Sequence, residues 1–165
     1  MKNIYSNIYS FNKKILKKTV NYLKQGNIAG LPTETVYGLG GNAYSKRAIK
    51  KIFKLKKRPN NNPLIIHYYS IKNAQKDVIL NNNFLKLYKK FCPGPLTFVL
   101  KKNKKTRIDS LATAKLNTVA IRFPKHKVVR KLLKLIDFPL AMPSANRSSC
   151  LSPINAVSYT HLTLP

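Results

Sequence analysis

The sequence predicts an α/β fold: a single domain in which a twisted sheet of parallel and antiparallel strands is flanked by helices. Three observations support this prediction. The chain has 165 residues, a length typical of one domain. Hydrophobic residues make up 44% of it, which is enough to form a buried core. Short apolar segments alternate with segments of helical period, and short connections at prolines favour some antiparallel strand pairs.

The first third of the chain contains a helix, a strand, a loop and a second helix. Apolar residues at near-helical spacing between residues 10 and 25 predict an amphipathic helix. Residues 28–31 predict a strand, and the glycine- and hydroxyl-rich segment 32–41 predicts a binding loop. Ser45 is the predicted N-cap of the second helix. That helix is expected to end before Pro59, because the residue before a proline disfavours helical geometry.

The rest of the chain is predicted to alternate between strands and helices. Apolar or alternating segments predict strands at residues 63–69, 96–100, 118–123 and 140–142. Helical spacing predicts helices at residues 84–91 and 128–136, with a basic turn at residues 101–105.

The C-terminal end differs from the rest of the sequence. Residues 148–165 contain no Lys, Arg, Asp or Glu, and residues 158–165 show no helical period. We therefore expect an N-terminal extension over residues 1–9, a domain over residues 10–157 that is either a short form or truncated, and a non-native or truncated tail over residues 158–165.

The chain is very basic, with 32 Lys and Arg against 4 Asp and Glu and a net charge of +28. Such an excess is typical of proteins that bind nucleic acid, nucleotide phosphates or an acidic membrane surface. A nucleotide-biased genome can also produce many lysines. No run approaches the roughly 20 apolar residues of a membrane span, and no secretion signal is evident. We expect a cytoplasmic protein whose two cysteines are reduced.

Several kinds of catalytic site are excluded. Gly38, Gly40 and Ala43 match a dinucleotide fingerprint, but residues 35–76 lack the acidic residue that would hold a ribose. No phosphate-loop or metal-binding motif occurs, so no metal ligands are assigned. The four acidic residues share no motif, which excludes a carboxylate pair. The remaining hydroxyls, amides and cations suit a site that positions a polyanion.

Four segments carry a resemblance to a known family. They are residues 32–40 (PTETVYGLG), 56–67 (KKRPNNNPLIIH), 93–97 (PGPLT) and 143–148 (PSANRS). In this order and at this spacing, the chain resembles the YrdC family of threonylcarbamoyl-adenylate synthases over roughly residues 10–155. The resemblance implies a YrdC-like domain with a concave basic face.

It also implies an enzyme, a nucleotidyltransferase that makes threonylcarbamoyl-AMP and pyrophosphate from ATP, L-threonine and bicarbonate. Mg²⁺ would be held largely by ATP oxygens and water. The product would serve the modification of tRNA position 37 through a separate tRNA threonylcarbamoyl transferase.

The family's signature residues fall at definite positions of this chain. The implied catalytic residues are Lys56, Arg58, Ser144 and Asn146. The implied ATP-binding residues are Arg58, Asn62, Thr118 and Asn146, and the implied threonine-binding residues are Thr35, His67, Arg122 and Ser144. An arginine can bind a phosphate or carboxylate through two parallel hydrogen bonds, and a lysine supplies a point charge.

Alternatives remain for these residues and for the whole chain. Lys56 and Arg58 could be the solvated end of a basic helix, His67 a core histidine, and Ser144 and Asn146 turn or capping groups. The chain could be a non-catalytic module that binds double-stranded RNA or tRNA. A carbamoyl-transfer domain of the hydrogenase-maturation type shares the fold, but its accompanying segments are not in this sequence. Cys150 and Ile154 also depart from the family's usual pattern.

Overall fold

A six-stranded mixed sheet forms the centre of the molecule, which a computed structural model describes over residues 8–146. The strands are β1 (Ile28–Leu31), β2 (Gly38–Asn42), β3 (Ile65–His67), β4 (Thr97–Lys101), β5 (Thr118–Arg122) and β6 (Leu140–Ala141). Their order across the sheet is β1-β2-β6-β3-β5-β4. β3 and β5 are parallel, whereas the other neighbouring pairs are antiparallel. The predicted mixed α/β fold is therefore confirmed.

Five α-helices and a short 3-10 helix connect these strands within the described residues. They are α1 (Lys13–Lys24), α2 (Lys46–Lys56), α3 (Ile71–Ala74), α4 (Asn82–Phe91), α5 (Lys127–Leu135) and the 3-10 helix Ser110–Thr113. The predicted N-cap is confirmed, since Ser45 Oγ accepts a hydrogen bond from Ala48 N at 3.3 Å. α3 and the 3-10 helix were not predicted, because four residues are too few to show a period.

Strand β2 corrects the prediction of a binding loop over residues 32–41. Only residues 32–37 lie outside the strands, and the glycine-rich segment after them pairs with β1 and β6. Glycine has a low strand propensity. Here neighbouring side chains occupy the space a Cβ would need: one at Gly40 would lie 2.8 Å from Leu31 Cδ1, and one at Gly41 would lie 3.2 Å from Ile52 Cδ1. Close packing overrides the propensity.

Two hydrophobic cores lie on opposite faces of the sheet. On the first face, β3, β4 and β5 pack against α2, α4 and the 3-10 helix. Rings at the centre of this core have centroids 4.8 to 6.5 Å apart and belong to Phe84, Tyr88, Phe98 and Phe123. On the second face, α1 and α5 pack over β1 and β6. This second core covers one half of its face.

Within residues 8–146, no helix packs on the other half of the second face, which is formed by β3, β5 and β4 and is called the open half-face below. Register places Thr97 beside Arg122 and Val99 beside Ala120, and the side chain of Val99 is 68% exposed. His67 of β3 lies beside Arg122 in the parallel pair. Because alternate residues of a strand share a face, these side chains lie on the open half-face. It carries positive charge from Arg122 and borders the site described below.

A buried carboxylate, Asp77, joins the first core to a loop. Its Oδ2 accepts hydrogen bonds from the hydroxyls of Tyr44 (2.7 Å) and Tyr68 (2.9 Å). Its Oδ1 accepts from Thr106 Oγ1 (2.7 Å) and Arg107 N (3.2 Å). Burial, together with the neighbouring Asp77, raises the pKa of both phenols, which therefore remain donors at neutral pH. Both oxygens of Asp77 are used within the protein.

Expectations for the termini and cysteines are only partly covered by the described residues. The predicted tail over residues 158–165, Cys150 and Ile154 lie outside them, as does most of the predicted extension. Cys92 is a free, half-buried thiol whose pKa is raised by burial. None of the helices within residues 8–146 is long and apolar enough to cross a membrane.

Candidate active site

A cleft of about 270 Å³ opens where the second core ends and the open half-face begins. The loop after β1, the ends of β3 and β5 and the segment after β6 form its walls. Predicted site residues that line it are Thr35, Arg58, His67, Arg122 and Ser144. The other lining residues are Thr33, Val36, Gly38, Ile65, Met142 and Pro143. The fold thus brings together residues that are up to 111 positions apart in sequence, which is the interval from Thr33 to Ser144.

The loop after β1 is held by the hydroxyl of Thr33. Thr33 Oγ1 accepts hydrogen bonds from Thr35 N (3.1 Å) and Val36 N (3.2 Å) and lies 2.6 Å from Val36 O, to which it donates. It is also 3.1 Å from Thr35 Oγ1. Thr33 was not predicted as a site residue. A hydroxyl residue directly after Pro32 is a signal for such a turn and could have indicated it.

Arg122 is the last residue of β5, and most N–H groups of its guanidinium have no partner among the described residues. Its Nε donates to Thr97 Oγ1 at 3.0 Å, and within residues 8–146 its guanidinium makes no other hydrogen bond. Burial lowers the pKa of Arg122, and the charge of Glu34 opposes that shift. A guanidinium stays protonated in proteins. Arg122 can therefore bind a carboxylate or phosphate in the cleft.

Arg58 lies just beyond α2 and is fixed by the turn that follows. Its Nε donates to Asn62 O (2.9 Å), and Nη2 donates to Asn62 Oδ1 (2.6 Å) and Pro63 O (2.8 Å). These acceptors are uncharged, and burial lowers the pKa of Arg58. The guanidinium is thus held in place while its positive charge is not neutralised by a described carboxylate. Asn62 orients Arg58, and its predicted contact with ATP stays a prediction.

His67 both lines the cleft and is buried, with 2% of the residue exposed. Its Nδ1 lies 3.3 Å from Ile65 O. Burial, followed by the charge of Arg122, lowers the pKa of His67 to about 3. The imidazole is therefore neutral near pH 7 and can donate or accept a hydrogen bond, but it does not add positive charge to the cleft.

Lys56 lies behind the cleft and anchors one of its walls. It is 2% exposed, and its ammonium donates to the carbonyl oxygens of Ser144 (2.6 Å) and Asn146. A backbone bridge between Gly38 and Ser144 holds the same segment from the other side. The interpretation of Lys56 as a solvated helix end is wrong, because its charge is used to fix the segment that carries Ser144.

Other predicted site residues do not line the cleft. Asn146 is buried, and its carbonyl accepts from Lys56. Thr118 begins β5 opposite Lys101, four residues before Arg122, or about 13 Å along the strand. Thr118 lies further along the open half-face, so its predicted contact with ATP requires a ligand that extends along the sheet.

Met142 supplies apolar surface to the cleft. A Cβ at Gly38 would lie 2.9 Å from Met142 Sδ, so the absence of a side chain there makes room for the methionine. Val36 and Ile65 also line the cleft. The arrangement can bind a small molecule that has an anionic group facing the arginines and an apolar group facing Met142.

Known proteins share this fold and sequence pattern. The Sua5/YciO/YrdC family model, described as "Telomere recombination", matches residues 21–161. The threonylcarbamoyl-AMP synthase of Pyrococcus abyssi is 42% identical over 144 residues, covering 86% of this chain and 41% of that protein. The threonylcarbamoyl-AMP synthase of Bacillus subtilis is 39% identical over 153 residues, covering 92% of this chain and 44% of that protein.

Solved structures of other proteins also match the fold of this chain. P. abyssi Sua5 complexed with L-threonine matches with a TM-score of 0.87 at 38% identity, covering 93% of this chain and 45% of that chain. Full-length HypF in a phosphate- and nucleotide-bound form matches with a TM-score of 0.80 at 21% identity, covering 89% of this chain and 23% of that chain, and shows the fold alone. In each of these four matches, this chain spans less than half the length of the matched protein. Because the family model covers most of its residues, the chain belongs to the Sua5/YciO/YrdC family.

Proposed function

We propose that this chain carries the synthase activity of its relatives, joining L-threonine, bicarbonate and ATP into threonylcarbamoyl-AMP. The observation that carries the proposal is the cleft, where Arg58 and Arg122 meet the hydroxyl-bearing Thr33–Val36 loop and Ser144. The names of the P. abyssi and B. subtilis relatives and the L-threonine complex of Sua5 support it.

Threonine fits the half of the cleft near Arg122. The guanidinium, held through Nε by Thr97, has its remaining donors for the carboxylate. The hydroxyls of Thr35 and Ser144 supply hydrogen bonds to the polar groups of threonine. Neutral His67 adds a hydrogen-bonding group without competing as a cation. The four residues given these contacts are the ones that the resemblance implies for binding threonine.

ATP fits beside it, with its phosphates near Arg58 and its nucleoside along the open half-face toward Thr118. The turn that holds Arg58 through Asn62 positions the guanidinium for the phosphates. Lys56 and Asn146 act through the wall that they share, since the Lys56 ammonium binds the carbonyls of Ser144 and Asn146.

The proposed reaction has two steps. The threonine amine attacks bicarbonate, forming a C–N bond and releasing water, which leaves a carbamate. A carbamate oxygen then attacks the α-phosphorus of ATP, and the bond to the β-phosphate oxygen breaks so that pyrophosphate leaves. Such displacement depends mainly on alignment and on cations that stabilise the negative charge. Arg58 and Arg122 supply both.

The described residues do not form a Mg²⁺ site of their own. Within residues 8–146 no group of three or more His, Cys, Asp or Glu side chains is placed to hold a metal ion, and no carboxylate lines the cleft. Mg²⁺ prefers oxygen ligands and commonly binds through substrate phosphates. Mg²⁺ would therefore enter with ATP, held largely by phosphate oxygens and water.

The cellular setting is also part of the proposal. The product would be used in the cytoplasm by a separate tRNA threonylcarbamoyl transferase acting at tRNA position 37. Exposed Lys101, which alternates with Val99 and Thr97 along β4, adds positive charge to the open half-face, which would attract tRNA or double-stranded RNA. RNA binding alone would not require a cleft with this set of polar groups, so the synthase activity is the function that the geometry supports best.

Pyrophosphate release from ATP and Mg²⁺ tests the proposal. The reaction is run complete, then with threonine or bicarbonate omitted. We expect release only when both are present. Release that is independent of threonine would contradict the proposed acceptor. A folded chain that binds no ATP but binds double-stranded RNA with steep salt dependence would favour the RNA-binding alternative.

A further inference from the structure

Met142 is fixed in the cleft by backbone hydrogen bonds to two strands. Its own amide N donates to Ile65 O at 2.9 Å, which attaches it to β3. The next residue, Pro143, accepts from Leu39 N at 2.9 Å, which attaches the same segment to β2. Met142 therefore lies between β2 and β3, where it lines the cleft with only 3% of the residue exposed.

Gly38 determines where the side chain of Met142 can lie. A Cβ on Gly38 would be 2.9 Å from Met142 Sδ and closer still to Met142 Cγ. Non-bonded carbon atoms pack at about 3.5 to 4.0 Å, so a side chain at this position would displace the thioether. The second core packs against Met142 from the other side. A displaced thioether would therefore move into the cleft, which both residues line.

Threonine carries a hydroxyl and a methyl group on Cβ, and the cleft offers a contact for each. The hydroxyls of Thr35 and Ser144 can form hydrogen bonds with the first. The thioether of Met142 offers an apolar and adaptable surface to the second, and Val36 and Ile65 are apolar as well. Serine has the same polar groups as threonine and lacks this methyl, so polar contacts alone do not distinguish the two amino acids.

We propose that Met142, packed against Gly38, is the specificity-determining residue that makes the cleft prefer threonine to serine. Its thioether contacts the methyl group of threonine and excludes water from it. One methylene group in a hydrophobic pocket changes affinity by about 10- to 200-fold, so the Kd for serine should exceed that for threonine by about tenfold or more. That the ligand is threonine rests on the proposed function, whereas the packing of Met142 against Gly38 does not.

The first test is NMR on the full chain with ¹³C-labelled methionine methyl groups. The chain contains two methionines, Met1 and Met142, and Met142→Leu identifies the second signal by its absence. We expect an intermolecular NOE between the Met142 methyl group and the methyl group of bound threonine. Threonine bound without this NOE would overturn the proposal. The measurement is made on the unaltered chain, so it does not depend on the stability of a variant.

The second test measures the Kd for threonine and for serine by isothermal titration calorimetry. In Met142→Ala the ratio of the two should fall from about tenfold to about twofold, because threonine loses its apolar contact. Met142→Leu conserves volume and should keep most of the ratio. An unchanged ratio in folded Met142→Ala would overturn the proposal.

Gly38→Ala tests the packing of Met142 independently. The new Cβ should displace the thioether into the cleft and raise the Kd for threonine by about tenfold. In the double variant Gly38→Ala/Met142→Ala, the smaller side chain leaves room for the new Cβ. Its Kd for threonine should therefore equal that of Met142→Ala alone. Additive effects of the two substitutions would show that Gly38 does not act through Met142.

Gly41→Ala is the matched control. It adds a Cβ to the same strand, but this Cβ would lie 3.2 Å from Ile52 Cδ1, in the first core and away from the cleft. A change in the ratio of the two Kd values here would overturn the specific role of Met142. Threonine binding with the expected dependence on Met142, but without threonine-dependent pyrophosphate release, would support that role and contradict the proposed function. A folded, unaltered chain that binds neither amino acid would overturn both.

Discussion

The carboxylates of Asp77 and Glu34 occupy two regions of the molecule and are used differently. Both accept hydrogen bonds from backbone amides, and both tie together segments that are distant in sequence. Asp77 also accepts from three side-chain hydroxyls, so both of its oxygens have partners. Glu34 uses one oxygen, and its other oxygen is buried without a hydrogen-bond partner among residues 8–146.

The region around Asp77 and the cleft differ in the same way as their two carboxylates. Around Asp77 the donors and acceptors are matched within the protein, which is how a buried polar group contributes to stability. Around the cleft, Arg122 has unused donors among the described residues and the charge of Arg58 meets only neutral oxygens. Hydrogen bonds that the fold leaves unmade are available to a ligand. We therefore expect changes near Asp77 to affect stability and changes in the cleft to affect binding.

The largest effect is expected for Arg58→Ala. It removes a cation from the position proposed for the ATP phosphates, so threonine-dependent pyrophosphate release should fall about 100- to 1000-fold. The free energy of unfolding should fall by about 1 kcal/mol, because the lost partners are neutral oxygens in a half-exposed turn. Release assays and urea denaturation measure the two effects.

Arg47→Ala is the control for that substitution. Arg47 is an exposed arginine of α2 that does not line the cleft. It should retain full activity. If Arg58→Ala retained full activity, Arg58 would not be part of the active site. The expected difference between the cleft and the region around Asp77 would then be wrong.

Asp77→Ala should give the opposite pattern. It leaves the hydroxyls of Tyr44, Tyr68 and Thr106 without their acceptor, of which that of Tyr68 is buried and the other two are half-buried. Buried donors without partners are costly, so the free energy of unfolding should fall by about 3 kcal/mol. Threonine affinity of the folded protein should change little. Urea denaturation and threonine titration at low temperature measure both. Loss of threonine binding in a folded variant would show that the regions are coupled.

The lowered pKa of His67 in the cleft predicts that the stability of the protein depends on pH. Its pKa is lowered from 6.5 to about 3 in the folded protein, so between these values mainly the unfolded chain binds the proton. Acid therefore favours unfolding: stability is complete above pH 6.5 and is lost as the pH falls below it. The contribution lost between pH 7 and pH 5 is about 2 kcal/mol.

Urea denaturation of the unaltered chain and of His67→Gln across this pH range isolates that contribution. The variant should lose less stability on acidification than the unaltered chain. Parallel pH profiles for the two proteins would contradict the neutral, buried state of His67.

The smallest effect is expected for Ala114→Gly. Ala114 has φ 49°, in the left-handed region where glycine avoids the strain of a Cβ. The free energy of unfolding should rise by about 0.5 to 1 kcal/mol, without a change in threonine affinity. Thermal denaturation and titration measure both effects, and a decrease in stability would contradict the strain argument.

Much of the fold could be predicted because most elements are amphipathic. The helices at Lys13–Lys24 and Lys46–Lys56 and the strand at Thr118–Arg122 were predicted close to their bounds, since the periods of their apolar residues match their structures. Strand Gly38–Asn42 was missed. Its glycines are explained by side chains of Leu31, Ile52 and Met142, and such contacts are not visible in a local pattern.

Most residues of the candidate site could be predicted from the sequence, but their contacts could not. The resemblance indicated Thr35, Arg58, His67, Arg122 and Ser144, which the fold brings to one cleft. The burial of Lys56 depends on carbonyls 88 and 90 residues away, so no local pattern could indicate it. The hydrogen bonds of Glu34 likewise come from amides 91 and 92 residues away. Long-range contacts account for what was missed.

The half-covered sheet has a consequence for how such a protein can change during evolution. In β4 and β5, one set of alternate residues fills the first core, including Phe98, Leu100, Val119 and Ile121. The intervening set faces the open half-face and bears little of the folding free energy. A single substitution in that second set can alter what the surface recognises without disturbing the first. Adjacent positions along these two strands can therefore change separately, one set with an effect on folding and the other with an effect on the exposed surface.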